Sequence, residues 1–225
     1  MEYLLPLLEY AESLKGQPMD SLFITATMES EYIPDQLENI HFDGLLSKAV
    51  TYKVPCHFEE QKHYFLPLPL LILGGLRKYY CCSIGMPENA VKGRFWWRKR
   101  SDLKVQQKIR IGAGAYKAHN VRHDTIHTNK LRFLAHGIKS EVEDLLQYIS
   151  NVGKKRSYGK GEIREWTVET VENEPEECVI YKGQVLRPIP VTEISSKSPV
   201  ITASYYPPYW HQANHVECYV PVIGG

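Results

Sequence analysis

KLRFLAHGIKSEVEDLLQYISNVGKKRSYGKGEIREWTVETV, residues 130–171, passes from a strand pattern through a helix pattern and a basic glycine loop into a second strand pattern. KLRFLAHG (130–137) reads as a strand. Ser140 is expected to open the helix, its capping box completed by Glu143, with Glu141 and Asp144 favourable at the positive helix end. Ile138, Val142, Leu145, Leu146 and Ile149 recur at helical spacing and form its apolar stripe. Gly153 stands where a left-handed helix cap is expected, and EIREWTVETV then returns to β-branched and aromatic content.

The same reading extends towards the N-terminus. In SLFITATMES, Leu22, Ile24, Ala26 and Met28 alternate with Phe23, Thr25 and Thr27, the period of a half-buried strand. In HFDGLLSKAV, Phe42, Leu45, Leu46, Ala49 and Val50 give one apolar helical face despite Gly44. Residues 64–130 hold short strand-like pieces, RKYYCCSI and GRFWWRKR among them, which predict antiparallel hairpins. The order strand, helix, hairpins, strand, helix, strand predicts an α+β fold, a ferredoxin-like (RRM-like) βαββαβ palm with both helices on one sheet face and the other face open for binding. Residues 1–172 are assigned to this palm, with a basic β-hairpin inserted near 88–130. Residues 173–225 are assigned to an irregular extension packed on it, with CVIYKGQVLRPIPV as a hairpin and a turn-heavy aromatic and proline-rich tail.

Across 225 residues the formal charge is only +1, yet it is segregated. Residues 77–132 hold fourteen Lys or Arg against three acids, while the first sixty residues hold eleven acids and three lysines. Residues 162–177 add seven glutamates and one arginine. A cationic block in a balanced chain implies a local polyanion site, or more plainly a solvated basic face. Five cysteines without a CxxC spacing favour buried thiols in a reducing, cytoplasmic setting. YFLPLPLLILGGL (64–76) is too short and too broken by Pro and Gly to span a bilayer, so no membrane contact is expected.

GKKRSYGKG (153–161) combines glycines, which bring backbone N–H groups close to a ligand, with Lys154, Lys155, Arg156 and Lys160, which supply charge for phosphates. It is no Walker A loop, because it follows a helix and precedes a strand and its spacing differs. The plain alternative is a solubilised helix-to-strand turn. GRFWWRKRSDLKVQQKIRIGAGAYKAH (93–119) interleaves Trp96, Trp97 and Tyr116 with Arg94, Arg98, Lys99, Arg100, Lys108 and Arg110. Such a pattern pairs stacking surfaces for bases with donors for phosphates, as a single-stranded nucleic acid requires. Along a strand Trp96 and Trp97 point to opposite faces, so at most one of them stacks on a base.

IHFDGLLSKAV (40–50), SEVEDLLQYISNVGKKRSYGKGEIREW (140–166) and YYPPYWHQANHVECYVP (205–221) together resemble the type IV branch of the CRISPR-associated RAMP proteins. The likeness is to its small subunit related to the crRNA 5′-handle-binding family. The resemblance implies a ferredoxin-like palm with a β-hairpin thumb, placed by position within 88–130. It also implies a noncatalytic RNA-binding subunit of a ribonucleoprotein complex for antiviral defense, gripping the 5′ handle of the crRNA and capping the backbone filament. Its partners would be the crRNA, backbone RAMP subunits, the large subunit and target DNA. The RNA-contacting loop of the family falls on Gly153, Lys154, Lys155, Arg156, Ser157, Tyr158, Gly159, Lys160 and Gly161. Trp97 and the cations Arg94, Arg98, Lys99, Arg100, Lys108 and Arg110 are assigned to the same RNA.

Two other classes of function compete. Some relatives process precursor guide RNA without metal, and His41, just before the first helix, occupies a position where such a base is found. A histidine at that junction equally serves as a cap or packing residue. The other class is a scaffold whose basic patch docks an acidic protein, with PPYW as an aromatic anchor. His119, His123 and His127 recur every fourth residue and would share a face on a helix, but HDTIH lacks the glutamate of a zinc protease motif. No catalytic residue, cofactor or metal is therefore assigned.

Overall fold

The computed structural model describes residues 5–34, 40–54, 66–99 and 119–222. The described chain is α+β, with three α-helices and antiparallel strand pairing throughout. The principal sheet has the order β4 (Met86–Pro87), β7 (Lys130–Gly137), β1 (Asp20–Met28), β8 (Ile163–Thr170). Leu22, Ile24, Ala26 and Met28 of β1 and Leu131, Phe133 and Ala135 of β7 are buried on one face, as the two-residue period requires. Against that face lie α2 (Phe42–Lys53) and α3 (Lys139–Leu146), through Phe42, Leu46, Ala49 and Val50 and through Val142, Leu145 and Leu146.

α1 (Leu5–Leu14) buries Leu7, Tyr10 and Leu14 in the same core. The Tyr10 hydroxyl donates to Glu141 Oε2 at 3.3 Å, and Lys53 Nζ bridges Glu141 and Asp144 at 2.7 and 2.9 Å. These polar links join the three helices at the edge of their shared apolar layer. Burial, and then the adjoining Glu141 carboxylate, push the Tyr10 phenol far above its ordinary pKa.

Two expectations at α3 need correction. Its N-cap is Ile138, without a side-chain cap hydrogen bond, so Ser140 and Glu143 form no capping box. Ile138 is buried and its N–H donates to Pro69 O at 2.9 Å, so tertiary anchoring starts the helix two residues before the serine. The helix then stops at Leu146, and Gly153 serves a different contact. Its φ is +74°, and an added Cβ would lie 2.3 Å from Ile33 O, so glycine is needed for the close approach of two backbones.

Between α2 and β7 lie β2 (Ile72–Leu73), β3 (Tyr79–Tyr80) and a long antiparallel hairpin, β5 (Val91–Lys99) with β6 (His119–His127). Residues 173–222 do not end in irregular chain. β9 (Ile180–Tyr181) and β10 (Gln184–Val185) turn through Lys182 and Gly183, both with positive φ. β11 (Ile189–Pro190), β13 (His215–Tyr219) and β12 (Val200–Ser204) form a three-stranded sheet. This extension joins the palm at Ile84, whose N–H donates to Leu186 O at 2.8 Å, and at a buried arginine described below.

The sheet face away from the helices is not a cationic platform. Phe23, Thr25 and Thr27 lie beside Glu169, Thr167 and Glu165 in register. Arg132, on the same face, pairs with Glu88 at 2.9 Å. A polyanion would meet carboxylates over the β8 side of this face.

Among the described residues no helix is long and apolar enough to cross a membrane. Cys81, Cys82, Cys178 and Cys218 are buried free thiols, and Cys56 lies outside the described residues.

Candidate nucleic-acid interface

Strand alternation gives the β5–β6 hairpin two chemically different faces. Phe95, Trp97 and Lys99 lie on one, opposite His123, Val121 and His119. Arg94, Trp96 and Arg98 lie on the other, opposite Asp124, Arg122 and Asn120. On the first face the rings stack across the strands, Phe95 with His123 at 6.5 Å and Trp97 with His119 at 5.1 Å.

The glycine loop packs directly against that first face. Lys155 Nζ stands 4.0 Å from the Trp97 ring centre, and Lys160 Nζ stands 4.4 Å from that of Phe95. Tyr158 meets Trp97 edge-on at 6.2 Å. Two basic segments far apart in sequence therefore form one surface of alternating rings and cations.

Residues 29–33 hold the loop in this position. Lys154 N donates to Ile33 O at 2.8 Å, Gly161 N to Glu31 O at 2.9 Å and Ser30 Oγ to Gly159 O at 2.9 Å. The same segment pairs with the base of the hairpin through Tyr32 and Ile126, by reciprocal N–H to carbonyl bonds of 3.0 and 2.9 Å. Lys155, Gly159 and Gly161 have positive φ, and an added Cβ on Gly161 would lie 1.9 Å from Val152 O. The loop is thus a fixed cradle, with a short 3₁₀ turn at Arg156–Tyr158 exposing its middle.

Its cations are not equivalent. Lys160 Nζ pairs with Glu31 Oε1 at 2.6 Å and its side chain is 16% exposed, so much of its charge is already balanced. Neither Lys155 nor Arg156 has a carboxylate within salt-bridge distance among the described residues. Lys154, Ser157 and Tyr158 complete the loop, Tyr158 being exposed.

Trp97, the tryptophan assigned to RNA from sequence, is the one that meets the loop. Trp96, on the opposite face, is 49% exposed with the Arg98 guanidinium 5.8 Å above its ring. Arg94 and Arg98 share that outer face, and Arg98 Nε also donates to Asn120 Oδ1 at 3.2 Å. Lys99 lies on the loop-facing side, and Arg100, Lys108 and Arg110 lie outside the described residues. Phe95 and residues 29–33 belong to the loop-facing surface, and Trp96 and Arg122 to the outer face of the hairpin, without having been assigned to the site from sequence. Arg122 could have been found by counting in register from Trp96, whereas the tie from residues 29–33 leaves no local signal.

The histidines take separate places. His119, His123 and His127 lie along β6, where successive members are roughly 13 Å apart, too far to share one ion. Among the described residues no three metal-ligating side chains come together. His41 is the N-cap residue of α2, makes no side-chain cap hydrogen bond and stacks on Tyr209 at 3.9 Å.

Tyr209 belongs to the polar network that fastens the extension to the palm. Arg187, 1% exposed, donates from Nη2 to Asp43 Oδ2 at 2.8 Å and to Tyr205 O at 2.7 Å, and from Nη1 to Tyr80 O at 2.5 Å. The Tyr209 hydroxyl donates to Asp43 Oδ1 at 2.6 Å. Burial alone would lower the Arg187 pKa; Asp43 and Tyr209 reverse this and push it well above its ordinary value. Gly44 leaves room for the Tyr209 ring, 3.3 Å from where a Cβ would stand.

Residues 83–221 match the family described as CRISPR type IV associated protein Csf3, a span that includes the hairpin, the glycine loop and Arg187 of the anchor but not its partner Asp43. The match covers more than half of the chain, which therefore belongs to the CRISPR type IV associated protein Csf3 family. No curated protein matches the chain.

Proposed function

We infer that this type IV CRISPR-associated protein is a noncatalytic RNA-binding subunit of a ribonucleoprotein effector complex. In this reading the four-stranded sheet and its helices are a ferredoxin-like RAMP palm, and β5–β6 is the thumb. The palm and thumb grip the 5′ handle of the crRNA, and the subunit caps the backbone filament, with the backbone subunits and the large subunit as its partners. The observation that carries the reading is the contact of Lys155 with Trp97 and of Lys160 with Phe95. It makes one surface of the two most basic segments, with cations for phosphates and rings for bases.

The order β4-β7-β1-β8, with β1 and β7 central, supports the palm assignment. The packing of His41 on Tyr209 supports keeping that histidine out of a catalytic role. Binding of guide-length RNA to the purified chain, followed by anisotropy, tests the proposal. Submicromolar affinity at physiological salt, with the RNA intact after prolonged incubation in EDTA, is expected. Failure to bind by a folded chain overturns RNA gripping, and cleavage in EDTA overturns the noncatalytic assignment in favour of a metal-independent endoribonuclease.

A further inference from the structure

On the helix side of the glycine loop lies a groove of about 430 Å³, lined by Lys48 and Tyr52 of α2, Tyr148 and Ser150 after α3, and Arg156 of the loop. The volume falls within the range of small-ligand sites, roughly 300–1,000 Å³. Tyr52 is 59% exposed and Tyr148 44% exposed, so two aromatic rings are left uncovered at this groove. Leu45, Lys48 and Tyr52 share one side of α2, and Lys48 Nζ stands 5.5 Å from the Tyr52 ring centre.

The lining includes two cations and no carboxylate. Neither Lys48 nor Arg156 has an acidic partner among the described residues. Rings for a base, cations for a phosphate and the polar side chain of Ser150 match the parts of one nucleotide. Adjacent residues of the loop serve the two surfaces, Lys155 the hairpin and Arg156 the groove. The two surfaces therefore meet at this loop.

We propose that this groove is a second nucleotide subsite, which stacks an unpaired base of the bound RNA on Tyr52 and Tyr148 and holds its phosphate with Arg156 and Lys48. It rests on the RNA-binding reading above and extends it from the hairpin side of the loop to the helix side.

The test uses the full chain and guide-length RNA. Tyr52→Ala/Tyr148→Ala should weaken binding by about tenfold, the loss of one stacked base, with the slope of log affinity against log salt unchanged. Tyr52→Phe/Tyr148→Phe should retain the affinity, and 4-thiouridine-substituted RNA should photo-crosslink to Tyr52 or Tyr148. Because both tyrosines are exposed, the variants should melt as the parent does. Lys155→Asn, which touches only the hairpin side, separates the two readings. Normal binding by the alanine pair with weakened binding by Lys155→Asn overturns the groove and leaves the clamp standing; normal binding by both overturns both. Intact RNA affinity in the alanine pair with loss of a copurifying protein also overturns the subsite, making the groove a protein-docking surface.

Discussion

Charge at the loop can be removed without disturbing its backbone, which makes the RNA reading open to a quantitative test. Lys155 has φ +57°, a region that asparagine tolerates well, and Arg156 lies in the exposed 3₁₀ turn. Lys155→Asn with Arg156→Gln therefore deletes two cations that have no carboxylate partner among the described residues, while the bonds from Lys154 to Ile33 and from Gly161 to Glu31 remain. On a single strand each lost phosphate contact flattens the salt slope by about 0.7, so the pair should flatten it by about 1.4. Between 50 and 200 mM salt the variant should then lose about sevenfold less affinity than the parent. Lys160→Gln is the internal control: its charge is balanced by Glu31 at 2.6 Å, so the slope should hardly move. Anisotropy titrations of guide-length RNA at four salt concentrations measure all three slopes. Parallel lines for the double variant and the parent would refute the reasoning, since the two uncompensated cations would then touch no phosphate.

Three further outcomes follow from the packing. Asp43→Ala and Arg187→Met should each cost about 3–5 kcal/mol in urea unfolding, and the double variant should cost less than their sum, because each single change strands a buried charge; single costs below about 1 kcal/mol would show that the network does not hold the extension. Gly161→Ala, whose Cβ would meet Val152 O, should lower the melting temperature more than Gly159→Ala, which has open space and bears only the positive-φ cost of about 1–2 kcal/mol. The backbone N–H groups of Gly75, first, and of Arg77 hold Glu193 below its ordinary pKa of 4.5. Its stabilisation is therefore present above about pH 4.5 and is lost as the pH falls through the lowered value, so Glu193→Gln should flatten the acid limb of melting temperature against pH. An unchanged limb would show that these bonds do not tie the Gly75–Arg77 turn.

The main sheet and its helices were legible where a single element carries its own period. Leu22, Ile24, Ala26 and Met28 announce β1, and Val142, Leu145 and Leu146 announce the stripe of α3, because one face of each is dry and the other wet. What could not be read depends on partners distant in the chain. Arg187 sits in LRPIPV, where a lone cation reads as surface; only the fold brings it to Asp43, 144 positions away. Ile138 starts α3 because Pro69 accepts its N–H, and no local pattern encodes that bond. The short strands of the extension, two to five residues long, fall below the length at which alternation can be distinguished from chance.

The same dependence on distant partners explains why the cations were found from sequence while their division of labour was not. Charge counting identified residues 77–132 and the loop, but a strand turns alternate residues to opposite sides, and only the register separates Trp97 from Trp96. Trp97 is committed to Lys155 and Tyr158, whereas Trp96 faces outward with Arg94, Arg98 and Arg122. The sheet face beside β8 exposes Glu165 and Glu169, and Arg132 there is matched by Glu88. On the proposed RNA-binding reading, a polyanionic strand would be repelled from the open sheet and drawn to the loop, where unbalanced cations stand beside rings. In that proposal the acidic stretch of residues 162–177 would work with the basic hairpin, making the route along the loop more favourable than the one across the β8 side of the sheet.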